Sequence, residues 1–294
     1  CSLPAGAMAT GPGIDPSRSL ALDRPCMTPI LCFDIETVPD ADGLRRLGLI
    51  DEPGAADWDD DTLVEHVFAR RREKTGSDFL PLHQHRIVAI ACLFRDDSGV
   101  RIRCLGSAGD PEARLISDFF TTIDRHTPQI VSWNGSGFDM QVLTYRALVN
   151  GVQAARYWEL GDDDRDFKWN NYISRYHTRH LDLMDLLALY TPRANAPLDE
   201  LAKLCGFPGK MGMDGSQVWP AYRQGRLDEI RDYCETDVAN TYLMYCRFQR
   251  LRGFWSPVEY QREIDVVRAY LGAQPGQHWR EFLSGWTADA PAAG

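Results

Sequence analysis

The chain has 294 residues, 44% hydrophobic and 25% charged, with a formal net charge of −10. That length suits one large α/β domain with additions or two small domains, and no apolar run approaches the length of a membrane span. The acidic balance excludes a protein that coats nucleic acid through a broad basic surface, since phosphate affinity comes largely from Lys and Arg, yet it leaves room for an enzyme with one local basic groove.

Eight cysteines, at positions 1, 26, 32, 92, 104, 205, 234 and 246, are scattered with no Cys-x-x-Cys pair. Neither a zinc site nor a disulfide framework is expected, and a cytoplasmic setting fits. Residues 1–27 are rich in Ala, Gly, Pro and Ser without a continuous apolar core, and read as a disordered extension rather than a signal peptide. Met27 reads as a natural start.

The first element is the apolar run Ile30-Leu31-Cys32 continuing into Phe33-Asp34-Ile35-Glu36-Thr37. In a strand, Asp34 and Glu36 point to one side and Phe33 and Ile35 to the other. Two like charges on one patch are costly unless a proton or cation is shared, and hard divalent ions prefer carboxylate oxygens. Taken alone the spacing is weak, because acids beside a strand commonly flank a solvated turn.

Residues 39–60, with Pro39, Pro53, several glycines and many acids, read as a loop. A helix is expected from about Asp61, with Leu63, Val64, Val67 and Phe68 on its apolar stripe and a basic run, Arg70 to Lys74, suited to its C-terminus. Ile87–Phe94 and Val100–Leu105 predict a hairpin, the first strand buried on both faces and the second nearer an edge. Pro111–His126 has helical spacing, Gln129–Trp133 reads as a short strand, and a helix follows from about Phe138 with Val142, Leu143 and Leu148 buried.

Between 151 and 180 aromatic and basic residues interleave without periodicity. Such a segment either forms a stacking platform for single-stranded bases or packs its own rings over the core. His180 to Asp185 leads into a helix stopped by Pro192, and His180 and Asp182 read as structural. The stretch Gly206 to Gly212 lacks the spacing of a phosphate loop, and Lys210 reads as a solvated loop lysine. A long helix is expected from Leu227 to near Leu251, with Ile230, Cys234, Val238 and Tyr245 buried, and Tyr233 and Asp237 one turn apart on another face. Ser256, Pro257 and Glu259 open a further helix as N-cap, first position and third position. His278 to Trp286 adds another turn or two.

Four acids thus fall at places an α/β sheet brings together: Asp34 and Glu36 on the first strand, Asp139 in the first turn after a strand, Asp237 on a late helix. As an ordered set, FDIET, WNGSGFD and YCETDV resemble the three exonuclease motifs of the DEDD superfamily. Tyr233, four residues before the last acid, is similar to its tyrosine branch. The nearest likeness is to bacterial predicted 3′-to-5′ exonucleases related to the proofreading domain of family-B DNA polymerases, over roughly residues 28–286.

The resemblance implies a ribonuclease H-like fold, a mixed five-stranded sheet with its first strand central and helices on both faces. It implies residues 28–254 as the exonuclease domain, 255–287 as a helical extension packed on it, and 288–294 as a disordered tail. It implies two divalent cations, Mg²⁺ or Mn²⁺, held by Asp34, Glu36, Asp139 and Asp237, with Tyr233 orienting the attacking water. A tyrosine with an ordinary pKa near 10 is protonated at neutral pH, so donating a hydrogen bond suits it better than acting as base. The substrate implied is a single-stranded or 3′-frayed nucleic acid, DNA before RNA, gripped by Thr37, Asn134, Phe138, Trp169, Tyr172 and Arg175. A 3′-to-5′ exoribonuclease is the alternative, because no motif here reads a 2′-hydroxyl. A non-catalytic binding module of the same fold is a further one. No membrane association is expected, and no motif names a partner in DNA repair or replication.

Overall fold

In a computed structural model that describes residues 27–287, the strand carrying Asp34 and Glu36, β1 (Ile30–Pro39), lies in the middle of a mixed sheet. The other strands are β2 (His85–Asp96), β3 (Gly99–Cys104), β4 (Gln129–Ser132) and β5 (His180–Asp182), in the order β3-β2-β1-β4-β5. β1–β2 and β2–β3 are antiparallel, whereas β1–β4 and β4–β5 are parallel. This five-stranded order with a central first strand matches the ribonuclease H-like expectation. β2 is buried along most of its length and β3 alternates at the edge.

The alternation of β1 divides the core in two. Ile30, Cys32 and Val38 join the cluster on the face covered by α8 (Leu227–Leu251), α9 (Pro257–Gly272) and α10 (Gln277–Gly285), where Tyr242, Ile264, Trp279 and Phe282 are buried. Leu31, Phe33 and Ile35 join the opposite cluster with α3 (Glu112–His126) and α4 (Asp139–Asn150). Asp34 and Glu36 therefore share the α8 side. α9 opens with the expected capping box, Ser256 and Glu259 bonding reciprocally.

Several expectations are corrected. Residues 39–60 are not a plain loop, for Ala41–Leu47 forms α1, followed by a 3₁₀ turn at Ala55–Asp57. Leu44 of α1 packs with Leu63, Val64 and Val67 of α2 (Asp60–Thr75), so one buried leucine and a tertiary partner outweigh the polar composition. Leu148 is 76% exposed, since the buried stripe of α4 runs through Val142, Leu143, Arg146 and Ala147. Short helices α5 (Leu183–Leu187), α6 (Leu198–Leu204) and α7 (Gly215–Arg223) complete the chain. Arg146 anchors α4 from inside, bonding Asp40 Oδ2 at 2.6 Å and Glu112 Oε2 at 2.6 Å.

The expected extension over residues 1–26 and the tail over 288–294 lie outside the described residues. Among the described residues all six cysteines are free, and no helix is long and apolar enough to cross a membrane.

Candidate active site

β1 and β4 pair only from Ile30 to Cys32 and from Gln129 to Val131. Beyond that point their pairing ends, so Asp34 and Glu36 stand beside the gap past the carboxyl end of the parallel pair. Asp139, the first residue of α4, reaches back across it and accepts a hydrogen bond from Ile35 N at 3.3 Å. α8 closes the other side, with Cys234 donating its thiol hydrogen to Asp34 Oδ2 at 3.4 Å. Glu36, Asp139 and Asp237 are buried and Asp34 half-buried.

The turn that carries Asp139 is built by residues around it. Asn134 has a left-handed backbone, φ 67°, and its N–H and that of Ser136 donate to the two oxygens of Asp182 at 3.0 and 2.9 Å. A Cβ on Gly135 would lie 2.4 Å from Ser132 Oγ, so only glycine lets the turn approach β4. His180 Nε2 sits 2.8 Å from the same Ser132 Oγ, and burial pushes the imidazole down to about 4, keeping it neutral. The structural reading of His180 and Asp182 is thereby given a concrete form.

Lys210 was not legible as a site residue. Its loop is clamped by Asn240, which accepts from Gly209 N at 3.2 Å and donates to Gly209 O at 2.8 Å, while Lys210 N donates to Asp199 Oδ1 at 2.7 Å. Gly209 holds φ 72° there. The ammonium consequently reaches Asp237 Oδ2 at 2.9 Å and donates to the Tyr233 hydroxyl, so Lys210 is an ion-pair partner inside the acid cluster and not a solvated loop lysine. A lysine only donates, so Tyr233 accepts from it, and its own O–H is left to turn toward Asp237, the acid one turn on.

Electrostatics follow from the enclosure. Burial, then repulsion from Asp139 and Asp237, pushes Asp34 well above the usual carboxylate range, and burial with Asp34 and Asp237 does the same to Glu36. Burial raises Asp139 to about 7 and also raises Asp237, with Lys210 opposing both. Burial alone would lower Lys210, but Asp237, Asp34 and Glu36 outweigh it and hold the amine charged. Tyr233 is raised by burial and the neighbouring acids, hence a phenol at any ordinary pH.

The donor set suits a hard divalent cation. Ligand atoms of Asp34, Glu36 and Cys234 lie within 4.8 Å of one another, and Asp237 Oδ1 is buried without a hydrogen-bond partner. Burial keeps Cys234 a thiol, so it orients Asp34 instead of adding a soft ligand.

Of the residues expected to grip nucleic acid, Thr37 and Phe138 are half-buried beside the acids, and Trp169 is 77% exposed with Lys168 over its ring. Tyr172 is a correction: its ring is buried in the core, its hydroxyl donates to Pro128 O at 2.7 Å, and no stacking face is left. Phe167 and Tyr157 also turn inward, so much of the 151–180 segment covers the core. Arg175 is engaged with Asp185 at 2.6 Å. A cavity of about 540 Å³ opens beside the Asn134 turn, lined among others by Gln141, Tyr145, Trp158, Arg175 and Asn195.

Residues 77–286 match a family model described as predicted 3′-5′ exonuclease related to the exonuclease domain of PolB. The chain belongs to this family of predicted 3′-5′ exonucleases. The match covers Asp139, Tyr233 and Asp237 and begins after β1, so Asp34 and Glu36 join the site through the sheet itself. Membership carries with it a nucleic-acid substrate and metal dependence in general terms. The chain is also similar to the structure of the family B DNA polymerase from the hyperthermophilic archaeon Pyrobaculum calidifontis, with 18% identity, a TM-score of 0.42, and coverage of 74% of this chain and 24% of that one. It thus spans about a quarter of that polymerase. The comparison with curated proteins finds no match.

Proposed function

We propose that this exonuclease removes nucleotides from the 3′ end of single-stranded or frayed DNA, releasing 5′-mononucleotides. The observation that carries the reading is the convergence of four enclosed acids on the gap between β1 and β4, one of them with an unpartnered buried oxygen, Asp237 Oδ1. Asp34, Glu36, Asp139 and Asp237 would hold two divalent cations, Mg²⁺ or Mn²⁺. What such cations supply is activation of water and neutralisation of charge at the leaving oxygen.

The chain's own groups do the rest. Tyr233, whose oxygen accepts a hydrogen bond from Lys210 and whose O–H interacts with Asp237, would turn that O–H to the attacking water and orient it. Lys210 keeps its positive charge near Asp237 and lowers the field of the crowded acids, which favours approach of a phosphodiester. Thr37, Asn134 and Phe138 border the crevice, and Trp169 offers an exposed face to an unpaired base.

The test uses matched end-labelled DNA and RNA oligonucleotides, single and double stranded, with Mg²⁺, Mn²⁺ or EDTA. Stepwise loss from the 3′ end of single-stranded DNA, abolished by EDTA, is expected. Cutting of a closed single-stranded circle, or activity surviving chelation, refutes the reading. Preference for RNA would make the chain an exoribonuclease.

A further inference from the structure

Asp232 and Glu235 stand one turn apart on α8 and share no member with the four acids described above. α10 brings His278 against them, with Nδ1 3.3 Å from Asp232 Oδ1 and Nε2 3.3 Å from Glu235 Oε2. Both ring nitrogens are shut off from solvent, yet neither has a partner in hydrogen-bond geometry among the described residues. One imidazole and two carboxylates each offer an atom within 4.8 Å of the other two. That is a mixed nitrogen and oxygen donor set on two packed helices.

Two of the three side chains are fixed from behind. Cys104 N donates to Glu235 Oε1 at 2.7 Å, which orients this carboxylate and leaves Oε2 to the histidine. Beside them Arg231 donates to Leu105 O and Gly106 O, so the chain after β3 braces this stretch of α8. The His278 ring packs on Trp279 at 4.5 Å, and a Cβ on Gly276 would lie 2.5 Å from its Cε1 and displace it. Trp279 and Phe282, buried in the core, hold α10 itself. Asp232 is the open member, its side chain 52% exposed and free to turn, with room for water beside it. Partial burial, with Glu235 and Asp228, raises its carboxyl while His278 opposes them, so the corner is crowded with negative charge.

We propose that Asp232, Glu235 and one ring nitrogen of His278 hold a Zn²⁺ ion, with water on the open side at Asp232, and that this ion staples α10 to α8. Imidazole together with carboxylate suits Zn²⁺, whereas Mg²⁺ prefers oxygen ligands and keeps its waters. The ion's role is structural, joining the last described helix to the one that carries Tyr233 and Asp237. The proposal does not depend on the exonuclease reading, and its readout is metal content and stability.

The test uses the full-length protein with Asp34→Asn and Asp237→Asn, which disable the other acid cluster, stripped with EDTA and dialysed near neutral pH against Zn²⁺ in excess Mg²⁺. One Zn²⁺ per chain should be retained by metal analysis. At about a hundredfold excess over the dissociation constant the melting temperature should rise by about 5–10 °C. His278→Gln or Asp232→Asn in the same background should weaken retention at least tenfold and remove the thermal shift. Asp232 is half exposed, so its substitution keeps the test decisive if His278→Gln fails to fold. In the otherwise wild-type chain Asp232→Asn should lower the retained Zn²⁺ by one equivalent. No retained Zn²⁺, or an equivalent that survives both substitutions, overturns the proposal and leaves the three side chains as an ion-paired seat for α10. An equal thermal shift with Mg²⁺ alone overturns the assignment to Zn²⁺ and with it the ligand role of the imidazole.

Discussion

Replacing Lys210 by Met removes the one cation that, among the described residues, reaches the acid cluster, while keeping most of the side chain's length. At 2.9 Å and an effective dielectric near 20, the pair with Asp237 has a gross attraction of about 6 kcal/mol. Most of this is offset by desolvation of the ammonium, and the lysine side chain is 36% exposed, so solvent screens the remainder. A net loss of about 2 kcal/mol is left in the metal-free protein, or about 4–8 °C in melting temperature for a chain of this size. Divalent cations bound to the same carboxylates would supply the missing positive charge, so the deficit should shrink in Mn²⁺. Thermal melts of wild type and Lys210→Met in EDTA and in Mn²⁺ read both effects. An unchanged metal-free melting temperature, or a deficit that grows with Mn²⁺, would refute the electrostatic role assigned to Lys210.

Tyr233→Phe keeps the ring and removes the hydroxyl that Lys210 donates to; single-turnover rates should fall roughly tenfold to several hundredfold with substrate affinity within a few fold. Wild-type turnover with chemistry limiting would reduce Tyr233 to a packing residue. Asp34→Ala should abolish turnover, yet leave the metal-free melting temperature equal or slightly higher, because a carboxyl enclosed among like charges is removed; a clear drop would recast Asp34 as structural. Asp139 titrates near 7 in the fold against about 3.9 unfolded, so the stability its protonation contributes is full below about pH 4 and lost as pH rises through 7. Between pH 6.5 and 8 the metal-stripped protein should lose stability, by at most about 1.4 kcal/mol per pH unit for each such proton. His180 acts in the opposite sense, since its folded ring is already neutral while the unfolded imidazole is still losing its proton near 6.5, so the Asp139 contribution is read as the difference between wild type and Asp139→Asn. Asp139→Asn should flatten the slope, and an equal slope in that variant would contradict the assignment.

What was legible in the sequence follows from which interactions are local. Strand alternation put Asp34 and Glu36 on one face, and the four-residue spacing of Tyr233 and Asp237 put them one helical turn apart, because both periodicities are properties of the backbone. Leu148 failed for the same reason reversed: three apolar residues in one helix define a stripe only after the partner surface fixes its phase, and Ala147 holds the place instead. Tyr172 and Trp169 illustrate the harder case. Three residues apart in an irregular segment, one is buried against Pro128 and the other exposed, and no period of the sequence separates them. Lys210 was hidden because its place in the site depends on Asn240 and Asp199, both remote in sequence from Gly209 or from the acids they help to arrange.

The acids differ in how the chain supports them, and the difference bears on catalysis. Asp139 receives the amide of Ile35, Asp34 the thiol of Cys234, and Asp237 the ammonium of Lys210, each donor from a different element. Glu36 accepts no hydrogen bond from the chain among the described residues, though it is buried and stands on the same face as Asp34. Its charge thus has no hydrogen-bond donor from the fold and is opposed by burial and by Asp34 and Asp237, with Lys210 as the counter-charge. On the proposed reading, three tethered acids would hold a fixed geometry while the fourth, untethered, would ionise and turn when substrate and cation bind. That division explains why the buried cluster is compatible with a stable fold, since the untethered acid can remain protonated until a positive charge is brought to it.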